Sequence, residues 1–175
     1  MSPSPRITLV TGGCRSGKSR YAQSLAESLG ESRVMLATAE ARDDEMRDRI
    51  ARHQADRGAG WRTIEAPIRI ADHLDQPGEV VLVDCLTLWV SNLLCTDATD
   101  AEMEAASRAL VEALRASSSP VVLVTNEVGL GIVPMNSLAR RFRDQAGFLA
   151  QRVAEVADRV VLTVAGIPMI IKDSP

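Results

Sequence analysis

Residues 12–19 have the composition and spacing of a loop that holds phosphate groups. Their sequence, GGCRSGKS, fits the pattern G-x-x-x-x-G-K-[ST]. Glycines in such a loop let successive backbone N–H groups curve around a phosphate, where a Cβ atom would clash. The lysine reaches the outer phosphates and the hydroxyl after it ligates Mg²⁺. We therefore predict a site for a nucleoside triphosphate, with metal ligation by Ser19, at Gly12, Gly13, Cys14, Arg15, Ser16, Gly17, Lys18 and Ser19.

A carboxylate, Asp84, ends the continuous apolar run EVVLVD at residues 79–84. Runs without alternation suit a strand that is buried on both faces of a parallel sheet. An Asp at the end of such a strand is typical of a residue that holds Mg²⁺, directly or through water. Asp is also a good helix N-cap, and residues 86–94 have a helical pattern, so capping is the alternative. The phosphate loop upstream favours the metal role.

His53 is one of two histidines in the chain, and arginines surround it in the sequence. A neutral imidazole can act as a nucleophile or accept a proton. The alternative is a half-buried structural histidine beside Ile50, on a charged helix whose arginines are balanced by neighbouring acids. On chemistry alone, the structural role is the more common of the two.

A second loop, residues 126–134 (NEVGLGIVP), follows the apolar run at residues 121–125. Open α/β sheets bind their ligands at the carboxyl ends of parallel strands, where such a loop would lie. A plain connecting loop fits the same residues. The sequence alone does not decide between these two roles.

Alternating apolar runs and amphipathic helices must position these residues. We predict strands at residues 7–10, 34–37, 61–65, 79–84, 121–125 and 159–164, and an antiparallel edge strand at 169–171, where Pro168 is tolerated. Helices are predicted at residues 19–29, 42–57, 68–74, 86–94, 100–117 and 136–157. The last helix directs inward Leu138, Phe142, Leu149, Val153 and Val156.

This alternation predicts a three-layer α/β fold of the P-loop nucleotide-binding kind, with a mostly parallel sheet and a C-terminal antiparallel edge strand. A length of 175 residues suits a single domain, residues 1–175. A small-molecule kinase is the class that remains. A GTPase switch protein would carry N-K-x-D, which residues 125–128 (TNEV) do not match, and a nucleic-acid motor should be more basic.

Charge and cysteine content argue against a nucleic-acid-binding protein, a disulfide framework and a zinc site. The formal net charge is −3 and only five residues are aromatic, whereas a nucleic-acid surface needs a basic patch with stacking rings. Three cysteines without CxxC spacing predict neither a disulfide framework nor a zinc site, as expected in a reducing cytoplasm. The start MSPSPR has no apolar export signal, and polar residues interrupt the most apolar stretch, so no membrane span is predicted.

Several segments together resemble one family, the bifunctional adenosylcobinamide kinase / adenosylcobinamide-phosphate guanylyltransferase of cobalamin biosynthesis. The resemblance covers residues 7–172 in the family's order, and the two most specific segments are RIARHQADRGAGWRTIE and NEVGLGIVP. The others are GGCRSGKSRYAQ, the ATA after the second strand, WRTIEAP, VLVDCLTLWVSNLL and LARRFRDQAG. Two departures are Gly58 after Arg57, where members often have proline, and Cys14, where members often have alanine.

The resemblance implies two reactions. GTP or ATP, with Mg²⁺, phosphorylates the aminopropanol hydroxyl of adenosylcobinamide. GTP then transfers GMP to His53, and adenosylcobinamide phosphate takes it to give adenosylcobinamide-GDP. The likeness also implies a homotrimer and a nucleotide site that includes Ala37, Thr38, Ala39, Gln54, Ala55, Asp56, Arg57, Glu65 and Asp84.

Two other classes stay open at this point. One is a P-loop kinase with a single activity, in which His53 is structural. The other is a nucleotide-dependent regulator without catalysis. The preference for ATP or GTP in the kinase step and the mode of corrinoid binding also remain open.

Overall fold

The computed structural model describes residues 5–40 and 58–174. The strands are β1 (Ile7–Gly12), β2 (Arg33–Ala37), β3 (Trp61–Glu65), β4 (Val80–Asp84), β5 (Val121–Val124), β6 (Arg159–Val164) and β7 (Ile167–Asp173). The helices are α1 (Lys18–Leu29), α2 (Leu86–Cys95), α3 (Asp100–Ala116) and α4 (Ser137–Val156), with a short 3₁₀ helix at Ile70–His73. The helix predicted at residues 42–57 lies outside the described residues.

The strands form one seven-stranded sheet in the order β3-β2-β4-β5-β1-β6-β7. Every neighbouring pair is parallel except β6 and β7, which are antiparallel. The predicted mostly parallel sheet with an antiparallel C-terminal edge strand is therefore confirmed. The order places β5 between the strand that ends in Asp84 and the strand that leads into the phosphate loop.

Helices cover both faces of the sheet and bury two apolar clusters. On one face, Val10, Leu82 and Val124 pack under α1. On the other face, strand residues such as Leu36 and Leu123 pack with residues of α2, α3 and α4. Successive strand residues alternate between these clusters, so both faces of the central strands are apolar. This explains the continuous apolar runs in the sequence.

Helix α1 lies close to the sheet because its contact residues are small. Ala22 and Ala26 are fully buried, one helical turn apart, and Tyr21, Leu25 and Leu29 pack partly buried around them. The close approach fixes the start of α1, and with it Lys18, above the end of β1.

The inward prediction for Leu138 in α4 is wrong, because this side chain is 58% exposed. Leu149 and Val153 are buried as predicted, and Phe142 and Val156 are partly buried against the same cluster. A helix of 20 residues is about 30 Å long, whereas a strand of six residues spans about 20 Å, so not every turn of α4 can pack on the sheet. None of the helices in the described ranges is long and apolar enough to cross a membrane.

Candidate functional site

The loop between β1 and α1 requires glycine at both of its ends. Gly12 has φ +157°, and a Cβ there would lie 2.5 Å from the hydroxyl oxygens of Ser16 and Thr163. Gly17, the N-cap of α1, has φ +92° in the left-handed region. Gly13 and Cys14 are exposed between these fixed ends. The loop is therefore a preformed turn open to solvent at the N-terminus of a helix, where anions are favoured.

The turn between β6 and β7 braces the phosphate loop, which sequence reasoning missed. The buried hydroxyls of Ser16 and Thr163 are 2.8 Å apart, and Thr163 lies in register beside Gly12. The backbone N–H of Gly166 donates to the Ser16 carbonyl at 2.9 Å. The partners lie about 150 residues apart in the chain. A hint was available in the glycine of the Ala165-Gly166 turn, but no spacing rule connects it to residue 16.

Lys18 and Ser19 lie in the first turn of α1, as the loop pattern predicts. Lys18 is 8% exposed, and its Nζ donates to the Gly13 carbonyl at 3.0 Å, so its ammonium lies across the loop. Ser19 is partly exposed. Its hydroxyl is a hard oxygen ligand next to the position where an anion would be held.

Asp84 lies on the same face of the sheet as α1. Its strand register continues through Val124 to Val10, and both valines belong to the cluster under α1. On its other side Asp84 is in register with Ala37, which is in register with Glu65. Neighbouring strands are about 4.8 Å apart, so these predicted site residues form one row at the carboxyl edge of the sheet.

The residues present fit a magnesium ion bound together with phosphates. In residues 5–40 and 58–174, no group of three or more His, Cys, Asp or Glu side chains could form a metal cage by itself. Mg²⁺ in phosphate-transfer sites usually needs only one or two protein ligands and takes its other oxygens from phosphates and water. The hydroxyl of Ser19 and the carboxylate of Asp84 supply such oxygens on one face of the sheet.

The alternative role of Asp84 as a helix cap is not supported. The N-cap of α2 is Cys85, one residue beyond Asp84, and the Cys85 side chain makes no capping hydrogen bond. Cys85 is buried, and burial, reinforced by the negative charge of Asp84, raises the pKa of its thiol. The thiol therefore stays protonated and is a poor nucleophile.

Thr38, which follows β2, is hydrogen-bonded to Cys85, which follows β4. Its hydroxyl accepts from the Cys85 N–H at 2.8 Å and donates to the Cys85 carbonyl at 2.9 Å. The Asn92 side chain donates to the Thr38 carbonyl at 2.7 Å and to that of Pro67 at 3.0 Å. Thr38 is fully buried, so its side chain positions the strand ends, while Ala37 and Ala39 beside it are partly exposed. Asn92 was not predicted as a member of this region.

The loop at residues 126–134 begins against the phosphate loop. The backbone N–H of Glu127 donates to the Gly12 carbonyl at 2.9 Å. Asn126 donates from its backbone N–H and its Nδ2 to the Thr87 hydroxyl at 3.2 and 3.0 Å. Sequence reasoning left the role of this loop open and missed Thr87, whose hydroxyl also lies 3.2 Å from the Cys85 sulfur. The start of the loop is thus held beside the candidate nucleotide site.

Part of the predicted site cannot be placed. His53, Gln54, Ala55, Asp56 and Arg57 lie outside the described residues. Glu65, at the end of β3, is exposed. The structure thus brings together the phosphate loop, the row from Glu65 to Asp84 and the start of the 126–134 loop.

The chain matches one family model and several known proteins over most of its length. Residues 8–171 match the CobU family model, described as cobinamide kinase / cobinamide phosphate guanyltransferase. The chain is 47% identical over 170 residues to a bifunctional adenosylcobalamin biosynthesis protein CobP of Pseudomonas aeruginosa, covering 95% of this chain and 98% of that protein. It is 44% identical to the bifunctional protein CobU of Escherichia coli, with 95% and 99% covered.

A likeness to a solved structure supports the fold alone. A protein of Pyrococcus horikoshii OT3, studied as project PH0250, superposes with a TM-score of 0.56 at 11% identity, covering 96% of this chain and 86% of that one. The family model and the relatives, by contrast, match nearly the whole chain. The chain belongs to the CobU family of cobinamide kinases / cobinamide phosphate guanyltransferases.

Proposed function

We propose that this chain phosphorylates the aminopropanol hydroxyl of adenosylcobinamide and then transfers GMP from GTP to the resulting phosphate. The observation that carries the proposal is the preformed phosphate loop, with Lys18 across it and Asp84 on the same face of the sheet. Family membership identifies the acceptor class. The product of the second reaction is adenosylcobinamide-GDP.

In the proposed kinase reaction, this chain's residues position the triphosphate of GTP or ATP. The backbone N–H groups of residues 13–19 and the ammonium of Lys18 neutralise the phosphate oxygens, and little covalent chemistry is required of the protein. Mg²⁺, held by Ser19 and Asp84, would supply further positive charge at the phosphates. The bracing of Ser16 by Thr163 keeps the loop in shape without rearrangement during the reaction.

In the proposed second reaction, His53 carries the GMP group. A neutral imidazole nitrogen attacks the α-phosphorus of GTP, a P–N bond forms, and the bond to the β-phosphate breaks with loss of pyrophosphate. An oxygen of the cobinamide phosphate then attacks the same phosphorus, and the P–N bond breaks. One difficult displacement is thereby divided into two easier ones.

The remaining predicted residues are proposed to surround the nucleotide. Ala37 and Glu65 lie in one row with Asp84, at the edge of the sheet that the phosphate loop faces. Thr38 and Ala39 continue the chain from that edge, and residues 54–57 are proposed to approach it with His53. This assignment rests on the row of strand ends and on the family likeness.

Labelling with GTP tests this proposal directly. The wild-type protein is incubated with α-labelled GTP, denatured, and counted for protein-bound label. We expect label on the wild type and none on His53→Ala, which should keep kinase activity because only the second reaction needs a covalent carrier. As a phosphoramidate, the adduct should survive alkali and be lost in acid.

His73→Ala is the matched control, because His73 is the other histidine of the chain. It belongs to the 3₁₀ helix before β4, and its carbonyl accepts from the Gln76 side chain at 3.1 Å. This variant should label like the wild type. Acid-stable label, or undiminished labelling of His53→Ala, would remove His53 as the nucleophile and leave a P-loop kinase with one activity.

We also propose that the chain forms a homo-oligomer, a trimer by family likeness, and acts in the cytoplasm. Edge strand β7 exposes Ile167, Met169, Ile170 and Ile171, which are 51–65% exposed. A row of apolar side chains on a strand edge is a surface for association. Cys14, Cys85 and Cys95 are all free thiols, in agreement with a reducing compartment.

A further inference from the structure

The loop between β5 and α4 exposes an apolar surface next to a carboxylate. Leu130, Ile132 and Met135 are 90%, 96% and 98% exposed, and Val133 and Leu138 are 61% and 58% exposed. Single exposed apolar residues are ordinary, but five large ones within nine residues indicate a binding surface. We call Leu130, Ile132, Val133, Met135 and Leu138 the apolar loop surface.

Hydrogen bonds hold this loop against the phosphate loop. The Glu127 N–H donates to the Gly12 carbonyl at 2.9 Å, and the Thr125 N–H donates to the Val10 carbonyl at 3.0 Å. Further along, Arg140 donates to the carbonyls of Pro134 and Met135 at 2.9 and 2.6 Å. The loop therefore has both ends fixed, and its first residues lie beside the phosphate loop.

The carboxylate of Glu127 is exposed and oriented. Its Oε1 accepts from the Gly129 N–H at 2.7 Å, and within the described ranges no other residue bonds to this carboxylate. A negative charge beside a triphosphate repels it, so Glu127 is unsuited to bind the phosphate tail directly. A carboxylate can instead accept a proton from a hydroxyl that approaches the phosphates from this side.

We propose that residues 127–138 form the acceptor side of the active site, with Glu127 as general base and the apolar loop surface as support for the corrin macrocycle. This proposal rests on the proposed function, which names the acceptor. Cobinamide combines a large corrin ring, which has hydrocarbon faces and amide side chains at its rim, with a short arm that ends in a hydroxyl. That combination requires an apolar surface and a proton acceptor side by side, which this loop provides.

The acceptor oxygen forms a bond to the γ-phosphorus, and the bond from that phosphorus to the β–γ bridging oxygen breaks. The nucleoside diphosphate leaves with the electron pair of that bond. The hydroxyl proton passes to the Glu127 carboxylate, which returns it to solvent after the product leaves.

Glu127 should matter for one reaction only. The second reaction uses a phosphate as its nucleophile, and a phosphate monoester is largely ionised at neutral pH because its second pKa is about 6. It has no proton that must be removed before attack. The apolar loop surface, in contrast, should serve both reactions, since both bind the same macrocycle.

Glu127→Gln tests the base, with Glu112→Gln as matched control. Glu112 is exposed in α3, which leads into the opposite, amino end of β5. We expect Glu127→Gln to reduce kcat for cobinamide phosphorylation about 100-fold or more, and Glu127→Asp to keep part of the activity. Protein labelling from GTP and transfer to cobinamide phosphate should stay at the wild-type level. Glu112→Gln should change neither.

The double variant Leu130→Ser, Ile132→Ser tests the surface, with Phe148→Ser as control. Phe148 is 54% exposed and lies about 15 Å along α4 from Leu138. The double variant should raise KM for cobinamide and for cobinamide phosphate about ten-fold or more, with labelling from GTP unchanged. Phe148→Ser should leave both KM values unchanged.

Three outcomes would overturn the proposal. The first is normal phosphorylation by folded Glu127→Gln. The second is an equal loss of phosphorylation and of GTP labelling in that variant, which would assign the carboxylate to the nucleotide. The third is a changed molecular mass with unchanged KM in the double variant, which would identify the surface as a subunit contact. A wild-type protein that takes no label from GTP would instead refute the proposed function itself.

Discussion

The chain contains two lysines, and their surroundings give them different roles. Lys18 is almost buried across the phosphate loop, whereas Lys172 donates to the carbonyls of Ala154 and Glu155 at the end of α4. Lys18→Ala should therefore lose phosphorylation and guanylylation together, by about 100-fold or more, because both need the triphosphate held. Steady-state rates of both reactions check this.

Lys172→Ala is the control for the loss of an ammonium. It removes charge-assisted bonds to the last carbonyls of a helix and should lower the free energy of unfolding by about 1 kcal/mol, with rates per folded molecule unchanged. Denaturant unfolding of both variants separates the effects. Normal phosphorylation by a folded Lys18→Ala protein would contradict the phosphate-loop assignment.

The three cysteines differ in exposure, so their rates of modification by a thiol reagent can show whether nucleotide occupies the phosphate loop. Cys14 is exposed in the phosphate loop, Cys95 is exposed at the end of α2, and Cys85 is buried with a raised thiol pKa. A thiol reagent should therefore modify Cys14 and Cys95 rapidly and Cys85 only on unfolding. GTP should slow the modification of Cys14 and leave that of Cys95 unchanged.

Mass spectrometry of the modified peptides identifies which thiol has reacted. Equal protection of Cys14 and Cys95 by GTP would indicate a global change in stability instead of occupancy of the loop. Unchanged modification of Cys14 at saturating GTP would exclude nucleotide from this loop.

Site residues that are consecutive in the chain could be predicted from the sequence, whereas contacts between residues far apart in the chain could not. Residues 12–19 carry their pattern in eight consecutive positions, so their position and shape follow from spacing alone. Thr163 and Thr87 contribute hydroxyls that brace residues far away in the chain, and many threonines in strands and helices have the same sequence surroundings. Only the folded sheet places Thr163 beside Gly12.

The position of the Asp84 carboxylate is determined by strand β4, of which Asp84 is the last residue. Its row places the carboxylate on the face of α1, two strands from the phosphate-loop strand. Asp84→Asn should raise the Mg²⁺ concentration needed for half-maximal phosphorylation about ten-fold or more, with a smaller effect on nucleotide binding without metal. Metal titrations of activity and nucleotide binding on the same preparation check this.

Unfolding of Asp84→Asn with metal binding intact would contradict that prediction. It would mean that the carboxylate stabilises the junction between β4 and α2 instead of the metal. The start of the helix argues against this outcome, since the N-cap of α2 is Cys85 and not Asp84.

The N-terminal cap of helix α3 should contribute to stability and not to activity. Thr99 and Glu102 form a capping box: the Glu102 N–H donates to the Thr99 hydroxyl at 3.3 Å, and the Thr99 N–H donates to the Glu102 carboxylate at 2.7 Å. Thr99→Ala should lower the free energy of unfolding by about 1 kcal/mol and Tm by about 2–4 °C. Both enzymatic rates should stay unchanged, because the start of α3 is outside the candidate site.

Thr99→Ser is the conservative variant and should restore most of that stability. Loss of phosphorylation in folded Thr99→Ala at wild-type stability would contradict a purely structural role for this cap.

Helices and strands could be predicted from the spacing of apolar residues within each segment. The wrong prediction for Leu138 shows that this spacing does not decide burial. The spacing of Leu138 from Phe142 places it on the buried stripe of a regular helix, which is correct as geometry. Burial also requires a partner, and a helix of 20 residues is longer than the strands against which it packs. The length of the neighbouring strands cannot be taken from the sequence of the helix, so the exposure of Leu138 could not be predicted.

In the whole molecule, residues from separate parts of the chain lie at one edge of the parallel sheet. The phosphate loop, Asp84 and Glu127 lie at the carboxyl ends of β1, β4 and β5, which run in the same direction. Because strands joined by helices are expected to be parallel, the sequence pattern predicted that the phosphate loop and Asp84 lie at the same edge, but it left the role of the 126–134 loop open. It could not predict that β5 lies between β4 and β1, because no local signal specifies the order of strands.

Edge strand β7 lies at one end of the sheet, next to β6. Four of its side chains, Ile167, Met169, Ile170 and Ile171, are large, apolar and 51–65% exposed, and an edge of this kind favours association. We expect a mass of about three times 18.9 kDa by light scattering, and dissociation on Ile170→Lys, because a buried unpaired ammonium is costly. Ser174→Lys adds the same charge at an exposed polar position beyond the strand and should leave the mass unchanged. A wild-type mass of 18.9 kDa at assay concentrations would contradict association.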